Sequence, residues 1–117
     1  MLRWVRLKVA GSYPLRRGAW YPVTRAVKDD VDVDVHGKLV RVPRSVIELV
    51  DTPPRRWTVV PRPTNAVLLP ASWGAQYVVC PNCRHRAPIP GAPPTMRCPK
   101  CNELFPIAWD EAYLGRK

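Results

Sequence analysis

The stretch CPNCRHRAPIPGAPPTMRCPKC, residues 80–101, contains all four cysteines of the chain, arranged as two copies of a Cys-Pro-x-Cys pattern. Between Cys83 and Cys98 lie 14 residues, close to the spacing of four-thiolate zinc sites. Each C-x-x-C turn lets two thiolates point at one ion while backbone amides donate to sulfur. The spacing therefore predicts that two turns clamp one metal ion between them.

The residues on either side of each cysteine pair are typical of short strands. The runs VVCPNCRHR and MRCPKCNELF each predict a strand, a Cys-Pro-x-Cys knuckle and a return strand. In this respect residues 77–109 resemble the zinc ribbon family. The resemblance implies one structural Zn²⁺ at the tip of a small antiparallel sheet, and it implies four ligands: Cys80, Cys83, Cys98 and Cys101.

Three other interpretations of the cysteines remain open at this point. Iron in a rubredoxin-like site also takes a tetrahedral set of four sulfurs. A redox dithiol needs one accessible pair in a strand–helix setting, and this stretch has two pairs and no helical pattern. His85 could replace a ligand, but four cysteines already complete the shell, so we interpret it as a surface residue or a neighbour of the site.

The carboxy-terminal part needs the metal in order to fold. A piece as short as residues 80–117 rarely orders itself without a metal, disulfides or a partner, and structural zinc contributes on the order of 10 kcal/mol in small fingers. We predict that Phe105, Ile107 and Trp109 pack beneath the site. The run WDEAYLG predicts one terminal helical turn.

The first 60 residues are rich in Val, Trp, Tyr and Thr, which is typical of short strands separated by turns. In the run DDVDVDVHGKLVRV, valines alternate with aspartates, so one face of the strand is apolar and the other polar. The pair His36-Gly37 then predicts a two-residue hairpin turn. The register that follows places Val33 opposite Val40, Val31 opposite Val42, and Asp32 opposite Arg41.

The run VPRSVIELVD predicts a strand end, a Pro-led tight turn and a last strand. Together with YPLRRGAWYPV upstream, it makes residues 11–51 resemble SH3-like barrels. We therefore predict a mostly β protein: a small SH3-like barrel or antiparallel sheet over residues 1–60, a Pro-rich connection over residues 61–79 that packs on the barrel, and a zinc ribbon over residues 80–117.

The net charge of +10 favours polyanionic partners, nucleic acid first. Cations beside the knuckles either neutralise a site of about −2 charge or contact phosphate. Two Arg-Arg pairs lie next to aromatic residues, a combination typical of single-stranded nucleic-acid grooves, although aromatics in a small barrel are more often core or covering residues. The candidate nucleic-acid-binding residues are Arg84, Arg86, Arg97, Lys100, Arg16, Arg17, Arg55 and Arg56.

The chain has no Gly-rich phosphate loop and no histidine with a plausible catalytic partner, and a closed four-thiolate shell leaves no position for substrate. We therefore expect a non-enzyme without a small-molecule substrate. The charged start and the lack of a long apolar run predict a cytoplasmic protein with no membrane partner.

The function predicted from the sequence is that of a zinc-containing nucleic-acid-binding protein. RNA is favoured over DNA, and the protein would be part of, or associated with, a transcription or translation assembly. The alternative is an adaptor docked by protein contacts on a large nucleoprotein complex.

Overall fold

The computed structural model describes residues 3–9, 13–63, 69–111 and 113–115. Over these ranges the chain is mostly β, with antiparallel sheets and only short 3₁₀ turns, as predicted. No helix in the described ranges is long and apolar enough to cross a membrane. The chain divides into two compact units, Met1–Pro54 and Arg55–Lys117.

The first unit is one five-stranded antiparallel sheet with strand order β4-β3-β2-β1-β5. A 3₁₀ turn over Arg44–Val46 joins its last two strands, at the position of the predicted Pro-led turn. The strands are β1 (Trp4–Leu7), β2 (Tyr21–Ala26), β3 (Asp30–Val35), β4 (Lys38–Pro43) and β5 (Ile47–Val50).

The hairpin between β3 and β4 has the predicted register. His36 and Gly37 have φ values of 53° and 85°, the left-handed pair that a type I′ turn requires. Arg41 Nε donates to Asp32 Oδ1 at 2.8 Å on the polar face. The observed partners are Val33 with Val40, Val31 with Val42, and Asp32 with Arg41.

Besides its apolar residues, the first unit buries one charged side chain, which alternates along β1 with the buried Val5 and Leu7. Arg6 lies on β1 and is only 3% exposed. Its guanidinium donates to Glu48 Oε1 at 2.6 Å and lies 4.5 Å from the centre of the Trp20 ring. The carboxylate and the ring together offset the cost of burying the charge. Trp20 therefore belongs to the interior of the first unit.

The second unit contains a three-stranded sheet of order β6-β7-β8 and a two-stranded sheet of β9 and β10. Short 3₁₀ turns lie over Ala71–Trp73 and Tyr113–Gly115, and the latter falls within the predicted terminal turn. The strands are β6 (Thr58–Pro61), β7 (Gln76–Val79), β8 (Arg86–Ala87), β9 (Thr95–Arg97) and β10 (Leu104–Pro106).

The division of the chain differs from the predicted one. Residues 58–60, predicted as part of the first module, belong to β6, which pairs with β7 in the second unit, Val59 opposite Val78. Residues 61–79, predicted as a connection, thus contain a strand of the second sheet. The two apolar runs pair with each other because each offers buried valines. Residues 64–68 of the predicted connection lie outside the described residues.

Arg62 closes the loop between β6 and β7. Its backbone N–H donates to the Ala75 carbonyl at 2.8 Å. Its side chain donates to the carbonyls of Gly74 at 2.6 Å and Leu69 at 3.4 Å, and also to that of Pro70. The Arg62 guanidinium thus donates hydrogen bonds to three loop carbonyls. Through these bonds Arg62 supports the pairing of β6 with β7.

Candidate metal centre

Each Cys-Pro-x-Cys pair forms a turn between two strands, and the two turns share one backbone geometry. The Cys80 N–H donates to the His85 carbonyl at 2.9 Å, and the Cys98 N–H donates to the Glu103 carbonyl at 2.8 Å. The residue after each second cysteine is left-handed, with φ of 67° at Arg84 and 66° at Asn102. These two residues donate back to the carbonyls of Cys80 and Cys98 at 3.1 and 2.9 Å.

Backbone amides in both knuckles are directed at sulfur. The first-knuckle N–H groups of Asn82 and Cys83 donate to Cys80 Sγ at 3.4 and 3.5 Å. The second knuckle repeats this with Lys100 and Cys101, which donate to Cys98 Sγ at 3.4 and 3.5 Å. Such donors stabilise the thiolate form of the ligand, which is the form that binds metal.

The four sulfur atoms of the two knuckles lie close together. All lie within 4.8 Å of one another, with Cys80 and Cys101 Sγ 3.7 Å apart and Cys83 and Cys98 Sγ 3.6 Å apart. A tetrahedral ion with bonds to sulfur of about 2.3 Å separates its ligands by about 3.8 Å. All four cysteines are free thiols, so the cluster fits a zinc ribbon-like site for one metal ion.

The pKa values of the thiols differ within the cluster, and burial acts to raise those of Cys80, Cys83 and Cys101. Burial raises the pKa of Cys80 and of Cys83 above the ordinary thiol value. Burial acts in the same direction at Cys101, but hydrogen bonds from the Asn82 side chain, the Glu103 backbone and two neighbouring thiols lower its pKa to about 7. Four thiolates in such a pocket are stable when a divalent cation compensates their charge.

A small apolar core lies under the sulfur cluster. Ile107 is buried in it, and Phe105 and Trp109 pack against it, as predicted from the sequence. The Trp109 indole donates to the Pro93 carbonyl at 2.7 Å. The core also contains Trp57, which directly precedes β6, and three residues of the three-stranded sheet: Val59, Val78 and Ala87.

Trp57 connects the two sheets of the second unit. It is fully buried, and its indole Nε1 donates to the Met96 carbonyl on β9 at 2.8 Å. Its backbone N–H donates to the Pro106 carbonyl at 2.9 Å, and its carbonyl accepts from Ala108 at 3.0 Å. The alternation of Trp57 and Val59, at the start of β6, is the sequence pattern that indicates this buried face. The core beneath the cysteine cluster therefore includes residues before residue 80.

The eight candidate nucleic-acid-binding residues are divided between the two units. Arg16 and Arg17 lie in the first unit, and the other six lie in the second. Near the knuckles, Arg84 and Arg86 are half-buried, whereas Arg97 and Lys100 are exposed. Arg97 donates to the Asn102 carbonyl at 2.7 Å.

The two arginines before Trp57 are both exposed, but they differ in their contacts. Arg56 forms an ion pair with Asp110 at 2.8 Å. Arg55 is exposed, as is Arg16, while Arg17 is half-buried. The aromatic residues beside these pairs, Trp20, Tyr21 and Trp57, are buried. These aromatics are core residues and offer no exposed platform for bases.

The two knuckles differ in exposure despite their common backbone. Pro81 in the first knuckle is buried, whereas Pro99 at the same position in the second is exposed. His85 is half-buried, and its counterpart Glu103 is exposed. Leu104, next to the second knuckle, is one of two large apolar residues exposed in the described part of the chain, at 54%.

No protein-family model, curated protein or solved structure matches this chain. The assignment of the site therefore rests on its own residues and their geometry.

Proposed function

We propose that this protein is a non-enzymatic zinc protein that binds nucleic acid through the knuckle end of its second unit. RNA is the favoured nucleic acid, and a transcription or translation assembly is the setting we expect. The observation that carries the proposal is a compact set of four thiols with cations at both knuckles. Zinc is the metal we infer, because it suits four thiolates in a closed tetrahedral shell.

The metal would give the knuckles a fixed shape, and the cations would supply the attraction. Lys100 is exposed and follows Pro99 at the second knuckle, and Arg97 lies on the adjoining strand. Arg84 and Arg86 flank the first knuckle but are less accessible. We therefore assign the main phosphate contacts to the second knuckle. Four thiolates around one ion leave no open position, which supports a binding role over metal catalysis.

The proposal is tested by measuring the affinity of the zinc-loaded, reduced protein for RNA and DNA oligomers of one sequence over a range of salt concentrations. Phosphate contacts give a steep dependence of log affinity on log salt. Replacing Lys100 by Ala should make the slope of log affinity against log salt less steep by about 0.7 for a single-stranded oligomer. This is the contribution of one phosphate contact. Lys38→Ala removes an exposed charge from the β3–β4 hairpin and serves as the matched control.

A weak and salt-independent response would refute nucleic-acid binding. An unchanged slope in Lys100→Ala, with a steep slope in the parent protein, would exclude Lys100 and direct attention to Arg16, Arg17 and Arg55. Equal affinities for RNA and DNA would refute the preference for RNA but not nucleic-acid binding itself.

The adaptor is a second candidate, because the exposed surface at the second knuckle is partly apolar. Leu104 lies opposite Arg97 in the β9–β10 pair, and neither base-stacking nor phosphate binding requires an exposed leucine there. Such a side chain suits a protein surface. The adaptor is favoured if the protein binds a purified nucleoprotein complex, shows no affinity for oligomers, and loses complex binding in Leu104→Glu.

A further inference from the structure

β4 is one of the two outer strands of the five-stranded sheet. The strand order ends with β4 on one side and with β5 on the other, so no strand in the described part of the chain pairs with the outer side of β4. Four of its six residues are exposed, including Leu39 at 70%, whereas each residue of β5 is buried or half-buried. The β4 side is therefore the more accessible edge of this sheet.

The register of the β3–β4 hairpin identifies the backbone groups that lie on this edge. The residues that flank a two-residue turn exchange both backbone hydrogen bonds, and bonded and non-bonded pairs alternate from there along the ladder. Val35 pairs with Lys38 next to the turn, so the even-numbered residues of β4 direct their N–H and C=O groups at β3. Leu39 and Arg41 direct theirs outward. Pro43 has the same direction, and its missing N–H therefore costs no bond within the sheet.

The charges closest to this edge are positive. Lys38 and Arg41 are exposed cations on β4, and the aspartates of β3 lie one strand further in, where Asp32 is paired with Arg41. A strand added beside β4 places its side chains about 5 Å from those of β4 and about 10 Å from those of β3. Such a strand therefore meets basic side chains before acidic ones.

We propose that the outer edge of β4 binds an extended acidic segment of a partner protein as an added strand. The outward N–H and C=O groups of Leu39 and Arg41 supply the main-chain hydrogen bonds of this mode of recognition. Acidic side chains of the segment lie next to Arg41 on the polar face. Apolar side chains on its other face extend the row of Val40 and Val42, which lie on the face of the buried β3 valines.

A second copy of this chain fits the edge less well. Antiparallel pairing of two β4 strands centred on Val40 sets each Leu39 opposite the Arg41 of the other copy. The two Arg41 side chains then lie diagonally across the new pair on one face, and like charges at such positions repel. An acidic segment avoids this repulsion. The site lies in the first unit, so it is independent of the metal centre and of the proposed nucleic-acid contacts.

The test uses the full-length reduced protein and a fluorescein-labelled ten-residue peptide in which Glu and Val alternate. Its control peptide has five Glu followed by five Val, which keeps charge and composition but cannot present acidic and apolar residues on opposite faces of a strand. Fluorescence anisotropy measures both affinities. We expect the alternating peptide to bind about fivefold or more tightly than the control.

Two variants locate the binding. Leu39→Glu places a negative charge beside the added strand and should weaken binding of the alternating peptide about fivefold. Ser72→Glu adds the same charge to an exposed turn of the second unit and should leave the affinity unchanged. Both positions are exposed, so neither substitution removes a core contact.

Amide hydrogen exchange supplies a measurement that charge attraction alone does not move. Saturation with the alternating peptide should slow exchange at Leu39 and Arg41, whose N–H groups face outward. Exchange at Val40 should change little, because its N–H is already bonded to β3.

Equal affinities for the two peptides, or exchange that slows as much at Val40 as at Leu39, would overturn the proposal. Equal weakening by Leu39→Glu and Ser72→Glu would also overturn it, because the peptide would then respond to the charge of the whole protein. Self-association of the protein without peptide, measured by sedimentation and abolished by Leu39→Glu, would assign the edge to a second copy instead. None of these outcomes changes the expected binding of nucleic acid at the knuckles.

Discussion

The two units of this protein are both built of antiparallel strands, but they differ in strand length and only the second contains cysteines. The first unit buries valines and leucines from a continuous five-stranded sheet, and its strand pairs agree with a simple alternation of apolar and polar residues. The second unit has short strands, several of only two or three residues, arranged around a thiol cluster. The strands that carry the knuckles are short, and a bound metal would cross-link them, so we expect the second unit to depend on the metal for its stability.

Removal of the metal should have the largest effect and should separate the two units. We expect a chelator to unfold the second unit, which loses on the order of 10 kcal/mol of metal-linked free energy. The first unit has no cysteine and should keep its sheet. Backbone amide NMR spectra of the reduced protein, before and after chelation, resolve both outcomes. Re-addition of Zn²⁺ should restore the lost resonances.

The comparison would fail if chelation left the second-unit resonances in place. The core around Trp57 would then be sufficient to keep the second unit folded without a metal. It would also fail if both units unfolded together, because the first sheet would then depend on the second unit.

Trp57→Ala should have the next largest effect, again confined to the second unit. Truncation of a fully buried aromatic side chain costs about 3–5 kcal/mol, and this one also loses its hydrogen bond to the Met96 carbonyl. Denaturant unfolding followed by second-unit NMR resonances would measure the loss. Trp73→Ala is the matched control, because Trp73 is only partly buried and should cost less. Similar losses in the two variants would contradict the central position of Trp57.

The strand pairing next to Trp57 is the part of the fold that could not be predicted from the sequence. The thiol ligands, the knuckles and the hairpin register were predictable, because each depends on residues close together in the chain or on a strict two-residue alternation. β6, the strand that follows Trp57, contains no local sequence feature that indicates which strand it pairs with. It pairs with β7 across a loop of more than ten residues, and an apolar run that could pair with either unit does not indicate which. Exposure was likewise unpredictable, since Pro81 and Pro99 stand in identical local patterns.

The smallest effect is expected on the polar face of the first unit, where Asp32 and Arg41 form an exposed ion pair. The hydrogen bond from Arg41 is the main cause that lowers the pKa of Asp32. A carboxyl whose pKa is lower in the folded state stabilises the fold above its unfolded pKa of about 3.9. That stabilisation is lost as the pH falls through the folded pKa.

Asp32→Asn should therefore lower the denaturant midpoint of the first unit slightly at pH 7, and the difference should disappear as the pH is lowered below about 4. High salt should reduce the difference as well, because the pair is open to solvent. Combining Asp32→Asn with Arg41→Gln in a double-mutant cycle isolates the pair from other effects of each substitution. A difference that persists unchanged at low pH would mean that the Asp32 charge is not its source, and a change in second-unit stability would contradict the separation of the two units.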